Sequence, residues 1–406
     1  MDTSCDVLIV GGGLVGSSLA CALDGHGLDV MLVEATPPRS AAPPSFDERN
    51  LALAEASINA LSALGVWRHI ASAPAPIRHI HVSSQGDFGS VRLDAPRRGL
   101  DRFGAVVVAR ELGAALEARL AELQTLRHVR PARVTQVTPA NGHVEARLET
   151  PDGTHPITAR LLVAADGSDS MLRTSLGIDA ELYDYGQTLF VSVVSANRAP
   201  ADTAYERFTA DGPMALLPLG GNRLGSVCTV PSAQAGHVAA LDDDDYRELL
   251  QQRFGWRVGR FGRIGRRSGY PLRKIVAGRL TGPRAVLVGN AVQSLHPIGA
   301  QGFNLGLRDA LTLAETVVRA QRDGRDIGSG EVLDQHVQRR SPDRDETVAM
   351  SHGLVRFFGN RFAPLRVLRS AGMVALDRVP GLGDRLVAES MGFGHDVSQL
   401  AYGVAE

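Results

Sequence analysis

The chain has 406 residues, 44% of them hydrophobic and 21% charged, with a formal net charge of −1. That length allows about two to three domains, and the composition is that of a folded, water-soluble protein. A charge so close to zero gives no reason to expect nucleic acid or a strongly acidic partner.

Cys5, Cys21 and Cys228 fit neither a metal-binding spacing nor a disulfide framework, so no metal is expected. The opening "MDTSCDVLIVGG" lacks the basic and long apolar regions of a signal peptide. No run reaches the ~18 apolar residues that a spanning helix needs. The expectation is a cytoplasmic protein whose only membrane contact would be at the surface.

In "CDVLIVGGGLVGSSLACALDGHGLDVMLVEA", Asp6 to Val10 is predicted as a strand and Gly11 to Gly16 as a tight turn. Leu14 to Leu23 has helical spacing, and Val30 to Val33 is a second strand with Glu34 at its end. The turn has Gly11, Gly13 and Gly16 in dinucleotide-binding spacing: one glycine for the turn, one for close approach to a pyrophosphate, one for helix packing. Glu34 is placed to bond an adenosine ribose and argues against a 2′-phosphate, which favours FAD or NAD over NADP.

The Pro/Ala/Ser-rich "ATPPRSAAPPS" reads as a mobile surface loop, and 47–70 as a helix. "IRHIHVSSQGDFGSVRL" alternates like strands. "AVVVARELGAALEARLAEL" is a strand running into a helix, with Arg110 at the junction, placed to reach phosphate oxygens or to pair with Glu111. A meander with turns at Asn141-Gly142 and Asp152-Gly153 ends in the strand Leu161 to Ala165, followed by Asp166-Gly167 and a helix bearing Arg173. Asp166 taken alone is an ordinary helix cap. Residues 181–273 are β-rich with one helical insert, and their Arg-rich end "WRVGRFGRIGRRSGYPLRK" is either a nicotinamide-phosphate attractor or a solvated strand face. The strand "AVLVGN" then leads through "HPIGAQGFN" into a helix from Leu305, and the rest is mostly helical. A second glycine-rich turn in one nucleotide fold points to the other end of one long cofactor. Small residues Gly299, Ala300 and Gly302 would let a flat ring approach, with helix amides aimed at its edge.

The blocks "VLIVGGGLVG…VEA", "LLVAADGSDSMLR" and "VLVGNAVQSLHPIGAQGFNLGLRD" together resemble the FAD-dependent aromatic hydroxylases of the para-hydroxybenzoate hydroxylase type. Within them the third block looks most like the ubiquinone-biosynthesis branch, in particular its 2-octaprenyl-6-methoxyphenol hydroxylases. The likeness is weakest from about 181 to 273. Two positions depart from the family: Gly289-Asn290 stands where a Gly-Asp pair is usual, and "GAQG" replaces "AGQG", putting Ala300 where a glycine is expected. If position 300 has positive φ, its methyl costs up to ~1–2 kcal/mol.

The resemblance implies an α/β fold: a discontinuous Rossmann-like FAD-binding domain (1–75, 100–180 and 275–330), a β-rich substrate domain (76–99 and 181–274) and a C-terminal helical region (331–406). It implies FAD contacts from Gly11, Gly13, Gly16, Glu34, Arg49, Arg110, Asp166, Gly167, Gly289, Asn290, Gln301, Gly302, Phe303 and Asn304. His296, Pro297 and Gln301 would lie next to the flavin at the reacting end, although a structural role for His296 is as good a reading of the residue alone. The implied reaction is hydroxylation of a 2-polyprenyl-6-methoxyphenol para to its hydroxyl, with NAD(P)H and O2 as co-substrates. A sibling hydroxylase, an FAD oxidase or dehydrogenase, and a non-catalytic prenyl-binding scaffold stay open. Other ubiquinone-biosynthesis proteins and a membrane surface are the partners the resemblance suggests.

Overall fold

The computed structural model describes residues 3–37, 49–360, 362–379 and 381–403. Most of the predicted Pro/Ala/Ser-rich loop lies outside the described residues.

The first sheet grows from β1 (Ser4–Val10), paired in parallel with β2 (Val30–Val33) and with the long β11 (Gly153–Ala164). β8 (Leu126–Val129) extends it beyond β2, and β19 (Ala285–Leu287) beyond β11. β18 (Thr281–Gly282) closes that edge, while β9 (Arg133–Pro139) and β10 (Val144–Thr150) form the meander on β11. Both faces are covered, which is why β1 reads as a continuous apolar run. Its alternate residues Val7 and Ile9 enter one core, with α1 (Leu14–Leu23), α3 (Ala109–Leu120) and α7 (Gln301–Arg322). Leu8 and Val10 enter the other, with the meander and α4 (Met171–Ser175).

A three-stranded sheet, β3 (Asn50–Ala54), β7 (Gly104–Val108) and β4 (Ala75–Ile77), lies between this unit and the next. Here the sequence reading is corrected. The 47–70 segment is not one helix: 50–54 pairs antiparallel with β7, and only α2 (Glu55–Ala63) is α-helical. Pairing with a partner some fifty residues away overrode the helix propensity of an Ala/Leu-rich run.

The large sheet joins β5 (His79–Ser84) and β6 (Ser90–Asp94) to β12 (Ala180–Ala196), β13 (Thr203–Thr209), β14 (Gly212–Pro218) and β15 (Arg223–Pro231). β16 (Phe261–Ile264), β17 (Ser268–Ala277) and β20 (Gln293–Ser294) complete it. One face is packed by α5 (Ala235–Ala240) and α6 (Asp243–Phe254) through Phe190, Leu216, Tyr246 and Phe254. The helical end comprises α8 (Gly330–Gly359), α9 (Ala363–Arg378) and α10 (Asp384–Ser390). Among the described residues no helix is long and apolar enough to cross a membrane.

Candidate functional site

The three sequence blocks meet at the carboxyl ends of β1, β11 and β19, where parallel sheets of this kind bind ligands. Gly11 has φ +110°, and a Cβ there would sit 2.3 Å from the Ala165 carbonyl oxygen; a Cβ on Gly16 would sit 2.0 Å from the Gly11 oxygen. These two glycines let helix, turn and neighbouring strand close on one another. Gly13 differs, since a Cβ there meets nothing within 4 Å. It faces open space, as a glycine reserved for a ligand would. The N-terminus of α1 has no side-chain cap, so its dipole and first amides are left for an anion.

Glu34 stands at the tip of β2 with both carboxylate oxygens engaged, by the Gly12 amide at 2.7 Å and the Thr36 amide at 2.7 Å. Its first duty is thus to shape the glycine turn, with its remaining lone pairs turned outward. Gly12, overlooked in the sequence, is required here too, because a Cβ would come within 2.9 Å of the Glu34 Cβ. The run of three glycines was the available signal.

Asp166 is committed to capping. It accepts from the Ser170 hydroxyl at 2.6 Å and the Leu172 amide at 3.1 Å. Beside it Gly167 has φ +88°. Arg173 ties this block to the third, donating to the carbonyls of Ala291 at 2.9 Å and Ser168 at 3.1 Å. Gly289 (φ +61°) packs on Val15 of α1, and Asn290 is exposed in the turn that follows β19. Gly306 lies against Val15 and Gly289 as well. The first and third blocks therefore touch directly.

α7 begins at Gln301, four residues before its expected start, so Gln301, Gly302, Phe303 and Asn304 form its first turn. Its N-cap is Ala300 at φ 53°, ψ 35°, in the left-handed region, with no side-chain cap. Gly299 before it has φ +67°. Gln301 is buried. Asn304 spends all its hydrogen-bonding capacity on the protein: its oxygen accepts from the Ala54 amide (2.9 Å) and Ser57 hydroxyl (2.8 Å), and its nitrogen donates to the carbonyls of Ala52 (3.0 Å) and Ala300 (2.9 Å). Its side chain fixes the turn against β3 and α2 and has nothing left for a ligand.

Arg110 is exposed at the second position of α3. The Ala109 amide bonds the Arg49 carbonyl at 2.8 Å, which brings Arg49 and Arg110 to one corner. The Arg49 guanidinium lies 5.3 Å from the centre of the Tyr270 ring. In the Arg-rich stretch, Arg257 donates to Ser83 at 2.9 Å and Arg267 stacks over Tyr246, whereas Arg260, Arg263 and Arg266 are exposed.

His296 is buried, and burial lowers its pKa from 6.5 to about 4, so the ring is neutral. Its Nδ1 is the acceptor facing the Ile298 amide at 3.4 Å, which leaves the proton on Nε2, and among the described residues Nε2 has no partner. Pro297, next in the chain, caps the short helical turn Ile298–Ala300. Tyr185 meets the His296 ring edge-on, with centroids 5.1 Å apart, and shares a 3.2 Å hydrogen bond with His352 Nδ1. Tyr185 carried no sequence signal, because it reaches His296 only through a strand more than a hundred residues away.

These residues fit a dinucleotide with a flat ring at its far end: a glycine turn under open space, an acid at the second strand tip, and two uncapped helix N-termini. Residues 4–351 match the family model described as FAD binding domain. The chain belongs to this family of FAD-dependent hydroxylases; FAD is its cofactor, and NAD(P)H and O2 are its co-substrates. It is 35% identical over 396 residues to the ubiquinone hydroxylase UbiL of Rhodospirillum rubrum, covering 96% of this chain and 90% of that protein. It is 30% identical over 396 residues to the 3-demethoxyubiquinol 3-hydroxylase of Escherichia coli, covering 95% and 98%. In fold it matches p-nitrophenol 4-monooxygenase PnpA of Pseudomonas putida with a TM-score of 0.78 at 17% identity, over 97% of this chain and 99% of that one.

Proposed function

We propose that the protein hydroxylates a 2-polyprenyl-6-methoxyphenol para to its hydroxyl in ubiquinone biosynthesis. The convergence of the three glycine-bearing blocks at one strand-end crevice carries the reading. Likeness to ubiquinone hydroxylases over nearly the whole chain supports the pathway. Bound flavin supplies the redox and oxygen chemistry. On this reading Gly11, Gly13, Gly16 and the α1 amides hold the pyrophosphate, Glu34 the ribose, and Arg49 and Arg110 the phosphate side. Gly289 and Asn290 flank the ribityl chain, while Asp166, Gly167 and Asn304 fix the turns around it. The first-turn amides of α7, from Gln301 through Gly302 and Phe303, face the ring, with His296 and Pro297 beside the reacting end. The large sheet forms the apolar roof that excludes water. The grouping of most strands into two sheets supports a division into a discontinuous cofactor domain, a β-rich substrate domain and a helical end.

The second reading is a sibling step at another ring position, favoured by the likeness to the 3-demethoxyubiquinol 3-hydroxylase. A cytoplasmic place at the inner membrane face, beside other enzymes of the pathway, fits the apolar residues Phe362, Val367, Leu368 and Val379 exposed on and around α9. The experiment is deletion of the gene in its host under air, followed by the mass of the prenylated intermediate. A 2-polyprenyl-6-methoxyphenol is the expected result. Another precursor moves the protein to a sibling step, and unchanged ubiquinone removes the pathway.

A further inference from the structure

The large sheet has two faces, and strand alternation along β13 sorts them. Tyr205 packs edge-on against Phe254 of α6, with centroids 5.5 Å apart, and Arg207 donates to the Arg253 carbonyl at 3.1 Å. Those residues face the outer helices. Ala204 packs instead with Leu217, Val106 and Ala52, toward the three-stranded sheet, and Phe208 stacks on Phe358 of α8 with centroids 3.6 Å apart. Glu206 lies between Ala204 and Phe208, so it shares their inward face. Its cross-strand neighbours there are Ala215 and Val82. The same face carries the apolar cluster of Leu189, Val191 and Leu272, backed by Tyr185, which touches His296. A carboxylate thus stands on the sheet face that also carries Tyr185, the neighbour of His296, and no donor among the described residues bonds it.

We infer that Glu206 is the proton acceptor for the phenolic hydroxyl of the aromatic substrate. This rests on the reading of the substrate as a phenol. The phenol O–H bond breaks, its proton passes to the Glu206 carboxylate, and the electron pair stays on the ring oxygen. The ring carbon para to it is thereby enriched for electrophilic oxygen. That carbon gains one oxygen atom from O2 and loses its hydrogen as a proton, and the proton held by Glu206 returns to the first oxygen. NAD(P)H provides the two electrons that reduce the other oxygen atom to water.

The surroundings suit the task. Glu206 is half-buried, and the loss of water around its carboxyl pushes it up to about 8, near the working pH at which a general base is most effective. The elements packed around it carry other ionisable groups, but none contributes to that shift: Asp87 beyond β5 is held by Arg366 and Arg369, and His296, His352 and Arg356 lie on the 296 turn and α8. Tyr185 is the rival, but burial pushes its hydroxyl up to about 12 and its oxygen is already bonded to His352.

The test uses the flavin-loaded protein and 2-prenyl-6-methoxyphenol as probe. The wild-type kcat should rise with pH as the Glu206 carboxyl loses its proton, along a limb below the free phenol's own pKa. Glu206→Gln should perturb the flavin spectrum on binding as the wild type does, yet lose that limb and show a kcat about 10²- to 10³-fold lower. Glu206→Asp should restore part of the rate and the limb. A Glu206→Gln enzyme that keeps the limb, with kcat within twofold, overturns the inference. Should the variant not fold, the wild-type profile decides: a limb near 8 supports Glu206, and a limb only at the free phenol's own pKa excludes it. A wild type whose flavin ignores the phenol overturns the substrate reading, and this inference with it.

Discussion

Ala300 shows what one methyl costs. It sits at φ 53° as the N-cap of α7, where the left-handed conformation disfavours an L side chain by about 1–2 kcal/mol. Ala300→Gly removes that penalty but adds unfolded-state entropy, so a net gain of up to about 1 kcal/mol is expected, read as a higher denaturant midpoint. Gly13 is the converse case, for its absent side chain faces open space and not protein. Gly13→Val should fold with an unchanged far-ultraviolet spectrum and purify with little flavin; a full flavin complement would overturn the pyrophosphate placement. Both residues were legible in the sequence, because turn chemistry is local. Asp166 was legible on its own as a helix cap, but Asn304 only as a member of its motif. The partners that consume their side chains include Ala54, 250 residues from Asn304, and no spacing rule reaches that far.

At the scale of elements, α7 and α8 are joined by buried ions. Arg340 is fully buried and donates to Asp309 at 2.8 Å and Asp343 at 2.6 Å, while Arg308 donates to Asp343 at 2.7 Å. Burial by itself would raise the Asp343 carboxyl, but the Arg308 and Arg340 guanidinium groups hold it well below the usual carboxylate range. A depressed carboxyl adds stability above its unfolded pKa of about 4 and loses it as pH falls toward the folded value. Asp343→Asn should therefore cost about 3–5 kcal/mol at pH 7, and progressively less as pH falls below about 4, in thermal melts across that range. The pair that holds these helices together was hidden in the sequence, since a charge on an amphipathic helix usually reads as solvated. The helix assignment at 50–54 failed for a related reason, namely that its deciding hydrogen bonds are to β7.

At the scale of the molecule, the chain leaves its first sheet three times to build the large one, contributing β5 and β6, then β12 to β17, and last β20. Alternating hydrophobicity announced those strands, but their union in one sheet depended on β13 pairing with β5, a long-range contact with no local trace. The inward face that carries Glu206 runs through β14 and β15 to β12, and that union extends it on the other side to Val82 of β5. On the outside, α9 exposes Val367 and Leu368 at 57% and 63%, with Phe362 at 63% just before it. If this face meets lipid, the protein should sediment with phospholipid vesicles, and Val367→Asp with Leu368→Asp should release it without loss of flavin. Equal sedimentation of variant and wild type would remove α9 from the membrane reading.

The contact among Val15, Gly289 and Gly306 has a consequence for ancestry. A Cβ on Gly306 would come within 2.9 Å of a Val15 methyl, and one on Gly289 within 3.1 Å. Three positions spread over most of the chain thus share one small volume. A smaller residue at 15 would ease both contacts, but Gly289 keeps its φ of +61° and a Cβ on Gly306 would still stand 3.1 Å from the Gly289 Cα. Positions 289 and 306 should therefore stay glycine in descendants while position 15 varies among small apolar residues.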